Sequence, residues 1–287
     1  ASMTQRHEAK SSLQRALMSF PDVFGDLRVD SDGSPTIYKE SVHHLYKTVN
    51  GAPLVRPGWY FNVDLQGEGI VDVTTHLVDI IQWMLVGENV IDYNKDIELV
   101  SAKRWSTEIP LDKFSLVTKL EQFPSQLSDR VENGVLKLFS NGEFTYKLEG
   151  GPVKLAVIWN LQAPEGGGDT HHSVIKGTVS DLVIKQGPDT GFKSELFVVP
   201  QQDSQEFADA LNAVIDKLPK KGITIDKIGS EYRINIPDAA RTTHEEHFAA
   251  VRNEFLEMLK TSEPVNLRSN LFAKYKLLAE ARDLAMK

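Results

Sequence analysis

Apolar residues recur along this chain with two different periods. Between residues 4 and 19 and again between 71 and 86 they return every three or four positions. Leu13, Leu17 and Met18 mark the first stretch; Val73, Leu77, Ile80, Ile81 and Met84 mark the second. That spacing predicts helices. After residue 96 the pattern shortens. "IELVSAKRWSTEI", "GVLKLFS", "GEFTYKLEGG", "VKLAVIWNLQA", "HHSVIKGTVSDLVIKQG" and "KSELFVV" alternate or run apolar between turn residues, which predicts strands. The helical period returns at 203–218, behind an Asp203 or Ser204 cap, and at 238–260 and 266–287. "DVFGDLRVD" (22–30) reads as a strand, 36–49 fits a strand or a helix, and 222–237 reads as a short hairpin. "SNGE" (140–143) carries a hairpin-turn signal. Residues 51–69 are a long connection with glycines and prolines, the kind of segment that carries sites.

Strands that follow one another without intervening helices pair antiparallel. The order helix, sheet, helices therefore predicts an α+β fold, read as one domain over residues 1–287. No internal repeat, low-complexity stretch or linker divides it.

Composition narrows the functions. The chain is 41% hydrophobic and 25% charged, ordinary for a globular protein. A net charge of -8 argues against a nucleic-acid surface, which needs a basic patch. No apolar run reaches the length of a membrane span, and residues 1–20 contain no apolar core of a signal peptide. With no cysteine, disulfides, thiolate metal sites and cysteine nucleophiles are excluded. "EGGGD" (165–169) is glycine-rich, but it runs from strand to strand. A dinucleotide fingerprint needs a helix N-terminus there. No Walker A, GxSxG or HExxH sequence occurs.

Candidate chemistry gathers in three segments. In "GEGIVDVTTHLVDIIQW" (67–83), Asp72, His76 and Asp79 stand four and then three positions apart, spacings that share one helix face. A carboxylate beside an imidazole builds a general acid/base; a capped helix with a satisfied histidine is the plain alternative. In "WNLQAPEGGGDTHH" (159–172), Trp159, Asp169, His171 and His172 suit a sugar-binding loop or a long hairpin turn, and only one of the two histidines can face a given site. In "RPGWYFNVDLQ" (56–66), Arg56, Trp59, Asp64 and Gln66 offer polar groups amid aromatic walls; the alternative is a surface loop. A divalent metal on Asp72, His76 and His171 or His172 is a rival reading. His43–His44 and His244–His247 are weaker metal pairs, and no metal is expected.

The run "WYFNVDLQGEGIVDVTTHLVD" resembles the second domain of the Gfo/Idh/MocA oxidoreductases, named for glucose-fructose oxidoreductase and inositol dehydrogenase. Its pattern is a Trp, an Asp, a glycine cluster, D-x-x-x-H and an Asp three residues on. "MTQRHEAKSSLQRAL", "APEGGGDTHHSVIKGT" and "IPDAARTTHEEHFAAV" extend the likeness to a subgroup known as the oxidoreductase C-terminal domain, over nearly the whole chain. The resemblance implies a large open, mostly antiparallel sheet flanked by helices. It implies a preceding Rossmann domain that binds NAD or NADP, with residues 1–20 as the connecting helix and no cofactor held by this chain. It implies a sugar or cyclic polyol substrate, His76 as the catalytic acid/base and Asp72 as its carboxylate partner. Assembly through the sheet face is expected, and an envelope or periplasmic location, with the cytoplasm as alternative.

The sequence departs from the family pattern in four places. The glycine cluster is "GEG", "VTTH" replaces the commoner x-G-x-H, and neither the Glu-Lys-Pro motif nor the dinucleotide fingerprint occurs. Two other function classes stay open: a glycoside hydrolase or lyase using NAD transiently, and a non-catalytic carbohydrate-binding or assembly module.

Overall fold

The computed structural model describes residues 3–49, 51–87, 89–261 and 266–287. In chain order the strands are β1 (Ile37–Tyr46), β2 (Thr48–Val49), β3 (Ala52–Pro53), β4 (Ile97–Pro110), β5 (Val131–Glu132), β6 (Val135–Leu148), β7 (Gly151–Gln162), β8 (Thr170–Ile175), β9 (Ser180–Gln186), β10 (Glu195–Pro200), β11 (Thr224–Ile228) and β12 (Glu231–Asn235). The α-helices are α1 (Ala9–Met18), α2 (Val63–Gln66), α3 (Thr74–Leu85), α4 (Tyr93–Asp96), α5 (Leu111–Thr118), α6 (Gln205–Val214), α7 (His244–Thr261) and α8 (Asn266–Ala285). Among the described residues, ten strands form one sheet in the order β11-β12-β10-β9-β8-β1-β7-β6-β4, with β5 paired to β6. Every neighbouring pair is antiparallel except β1 and β7. This is the expected α+β architecture with a large, mostly antiparallel sheet.

The sheet has a core face and an open face, as alternation requires. Phe144, Tyr146, Val153, Leu155 and Val157 are buried on one side, where α3 and α8 pack. Glu143, Thr145 and Lys154 sit at the alternate positions. β1 places Ile37, Lys39, Ser41, His43 and Leu45 on the core side, in register with Val153, Leu155, Val157 and Trp159 of β7. The segment 36–49 is thus a strand.

Three expectations from sequence fail locally. Residues 22–30 are a turn-rich segment with one isolated bridge, Leu27 to Gly177. Val23 and Phe24 are consecutive and both fully buried, and Gly25 lies at φ 74, which ends any strand there. "SNGE" is no hairpin: residues 135–148 are one strand. Gly142 is there because Ile70 packs onto it; a Cβ at Gly142 would lie 2.4 Å from the Ile70 Cβ. Asn141 links three strands, donating to Trp105 O and Thr107 Oγ1 and accepting from the Trp159 N–H at 2.7 Å. Hairpin turns lie instead at Asn133–Gly134 and Glu149–Gly150, both residues of each at positive φ, as type I′ turns demand, and the expected short hairpin within 222–237 is formed by β11 and β12. The helix read from residue 238 begins at His244, after a 3₁₀ turn at Asp238–Ala240.

Candidate functional site

The turn before α3 fixes the site. A Cβ on Gly69 would lie 1.7 Å from Ser140 O, so only glycine lets this turn rest on β6. The Gly69 N–H donates to Phe139 O at 3.1 Å. Beside it, Glu68 is buried and accepts from Arg104 at 2.8 Å and Arg282 at 3.4 Å, tying the turn to β4 and α8. Asp72 and His76 follow on this anchored turn and on the first turn of α3.

Asp72 borders a narrow crevice with Tyr60, Gln66, Ser140 and Trp159. Gln66 donates to its carboxylate at 3.4 Å. Burial raises the Asp72 pKa, opposed by Gln66, His76 and His43. Burial lowers the His76 pKa, opposed by Asp72 and Asp79. His76 Nδ1 is buried without a hydrogen-bond partner. The two groups feel each other electrostatically, and the imidazole is kept neutral with one nitrogen unspent. Such a pair can take a proton from a hydroxyl placed against it.

Asp79 faces elsewhere. Its carboxylate accepts from Arg6 Nε at 2.6 Å, Arg6 Nη2 at 2.8 Å and the fully buried Lys274 at 3.0 Å. It borders a different cavity, of 610 Å³, between Arg6 and the α7 residues Phe248, Phe255 and Met258. The predicted common face of Asp72, His76 and Asp79 is therefore divided: Asp72 borders the crevice with His76 in electrostatic reach of it, and Asp79 sits in an ion triad.

The 56–66 segment divides likewise. Arg56 donates to Leu45 O at 2.8 Å and His44 O at 3.1 Å, and its guanidinium lies over Tyr60 and Trp159. It is a brace for the aromatic wall. Trp59 is 57% exposed, and Tyr60, not Trp59, lines the crevice. Asp64 lies outward, held by Arg130 at 2.8 Å.

Asp169 receives His43 Nδ1 at 3.1 Å, His44 Nδ1 at 3.3 Å and the Lys47 ammonium. Burial pushes its carboxyl up, and the hydrogen bonds from His43 and Lys47 more than offset this, leaving it below the usual carboxylate range. His43 stacks on Trp159 with ring centroids 4.7 Å apart, so Trp159 is covered rather than free to stack on a ligand. His171 is on the core side, 2.9 Å from Ser41 Oγ, with burial and then Lys39 holding its pKa well down. His172 points to the open face, near Tyr38. The two histidines face opposite ways, as strand geometry predicts.

Sequence reasoning missed Tyr60 as a crevice residue, the contacts of His43 and Lys47 with Asp169, and the buried Lys39. Residues 43 and 169 lie far apart in sequence, so no local spacing shows their contact. Lys39 is 2% exposed and bonded to Ser173 at 2.7 Å. Burial brings its pKa down to about 7. Among the described residues no three His, Asp or Glu side chains stand together as metal ligands, and no helix is long and apolar enough to cross a membrane. The glycine turn 166–168 joins β7 to β8, so these residues do not fit a dinucleotide pyrophosphate, which needs a helix N-terminus.

Comparison with known proteins places this geometry. Residues 13–286 match the family described as "Putative oxidoreductase C terminal domain". The crystal structure of a "putative oxidoreductase" from Parabacteroides merdae ATCC 43184 is 43% identical, with a TM-score of 0.94 over 99% of this chain and 66% of that one. Two more distant structures share the fold alone. A "putative oxidoreductase" from Erwinia carotovora atroseptica SCRI1043 is 13% identical, TM-score 0.54, over 98% of this chain and 62% of that one. A super-repressor mutant of Gal80p from Saccharomyces cerevisiae is 12% identical, TM-score 0.51, over 99% of this chain and 62% of that one. The chain thus spans less than two thirds of the length of each of these structures. No curated protein matches it. The chain belongs to the oxidoreductase C-terminal domain family, the second domain of Gfo/Idh/MocA oxidoreductases.

Proposed function

We propose that this chain is the substrate side of an NAD(P)-dependent oxidoreductase acting on a hydroxyl of a sugar or cyclic polyol. The observation that carries the reading is the Asp72–His76 pair: a half-buried imidazole kept neutral by burial, with Nδ1 unpartnered, beside a carboxylate that opens to the crevice. In this reading the His76 imidazole takes the hydroxyl proton, and Asp72 stabilises the imidazolium that results. Tyr60 and Gln66 line the crevice beside Asp72. His43, held by Asp169, stands within electrostatic reach of Asp72 and stabilises its ionised form. The glycine turn 166–168 runs from strand to strand and offers no helix N-terminus to a pyrophosphate. The reading therefore assigns NAD or NADP to a Rossmann domain in the longer protein.

A second reading is a binding or assembly module on the same scaffold. Its support is the open sheet face, where Tyr38 donates to Glu40 and Lys185 pairs with Glu231, a polar surface that an assembly would have to match charge for charge. The experiment that separates the two uses the full-length protein with NAD⁺ or NADP⁺ and a panel of neutral monosaccharides and inositols, followed by reduced-cofactor absorbance. The oxidoreductase reading expects one reduced cofactor per oxidised product. Product formation without net reduced cofactor would point to hydrolysis or elimination, and no turnover of any panel member would favour the module.

A further inference from the structure

Successive residues of a strand point to opposite faces, so the histidine beside His43 looks away from the Asp72 crevice. His44 is 4% exposed, and its Nδ1 is held by Asp169 at 3.3 Å, which leaves Nε2 for the other side. There it borders a cavity of 430 Å³ with Val42, Asn160 and Thr170. These are register neighbours on the open face: Val42 pairs with Thr170 and His44 with Asn160. The far wall is the Pro164–Gly168 turn and Phe192.

Phe192 is held at φ 59, a conformation a bulky residue adopts only where its surroundings impose it. Its N–H is tied to Gly187 O at 2.8 Å. Gly168 passes under its ring, where a Cβ would stand 3.5 Å from the Phe192 ring edge. A strained aromatic, a glycine run against it and a carboxylate-held imidazole thus converge on one space.

The chemistry of the walls selects the ligand class. Phe192, Pro164 and Pro188 are apolar; His44, Asn160 and Thr170 both donate and accept hydrogen bonds. The charged side chain among the lining is Glu165, so an anion is disfavoured. A wholly apolar ligand would leave His44 and Asn160 unpaired. A ring with one C–H face and hydroxyls at its rim satisfies both kinds of wall. We propose that this cavity binds a neutral monosaccharide or cyclic polyol unit, at a site separate from the Asp72 crevice and on the opposite face of the sheet. The site does not depend on the acid–base reading and stands if that reading falls.

The test is a titration of the protein with four probes, methyl β-glucoside, methyl β-galactoside, methyl α-mannoside and myo-inositol, read by saturation-transfer NMR and calorimetry. At least one probe should bind saturably. Phe192→Gly should weaken that binding by about tenfold or more, as loss of an aromatic anchor does. Asp72→Asn should leave it within about twofold, because the crevice is not involved. Glycine suits a positive φ, so Phe192→Gly keeps the fold, and a melting curve no lower than wild type verifies this. The proposal is overturned if no probe binds, if Phe192→Gly leaves binding unchanged, or if Asp72→Asn abolishes it.

Discussion

Two opposing effects set the charge on His76. Burial favours the neutral imidazole and lowers its pKa below the usual 6.5, while Asp72 and Asp79 pull it back up. The base form is therefore dominant at neutral pH, and activity should fall on the acid side, as His76 takes up a proton. Asp72→Asn removes a negative charge that favours imidazolium, so the acid limb of the rate profile should move to lower pH while turnover at neutral pH falls. A limb that stays in place would show that Asp72 does not act on His76. Lys39 makes a second residue-scale prediction. Its folded pKa of about 7 lies below its ordinary 10.5, so between those values the unfolded chain binds the extra proton. Stability from this group rises as pH increases across that window, by at most about 1.4 kcal/mol per pH unit. The burial cost is fully present below pH about 7. Lys39→Met should raise the melting temperature at neutral pH and remove this slope, which melting curves at several pH values would show.

At the scale of elements, the site is a turn pressed onto a strand. Gly69 meets Ser140 O, and Gly142 meets Ile70. Gly69→Ala should force α3 and the turn off β6, lowering the melting temperature and loosening the Asp72 environment. Hydrogen exchange of the 70–78 amides measures this, and unchanged protection would contradict the account. Here the sequence was legible in part. The 3.6 period of Val73, Leu77, Ile80 and Ile81 shows α3, and Asp72 and His76 at a step of four put both at its start. What it hid was contact across the sheet. Gly142 reads as a turn because its glycine signal is local, whereas its cause, Ile70, belongs to another element. The left-handed pair Asn133–Gly134, a true turn, carries the same local signal. His43 and Asp169 meet only because β1 lies beside β8, and β1 itself pairs parallel with β7, an arrangement no spacing along the chain displays.

At the scale of the molecule, Asp79 joins the first turn of the chain to α3 and α8 through Arg6 and Lys274, and Glu68 joins the same region to β4 and α8. These ion pairs hold the α3 turn in a fixed relation to the sheet, and the Asp72–His76 pair inherits that rigidity. The alternation of apolar and polar residues foretold the large antiparallel sheet and its helical cover, since each strand needs one buried face. The measurement that bears most directly on the central claim is turnover by His76→Ala in the full-length protein, with substrate affinity and melting temperature recorded alongside. A general base acts in the transition state, so its loss should lower kcat by about 10²–10⁴-fold and leave ground-state binding nearly unchanged. Folded His76→Ala protein with wild-type turnover would contradict the account and return His76 to a structural role.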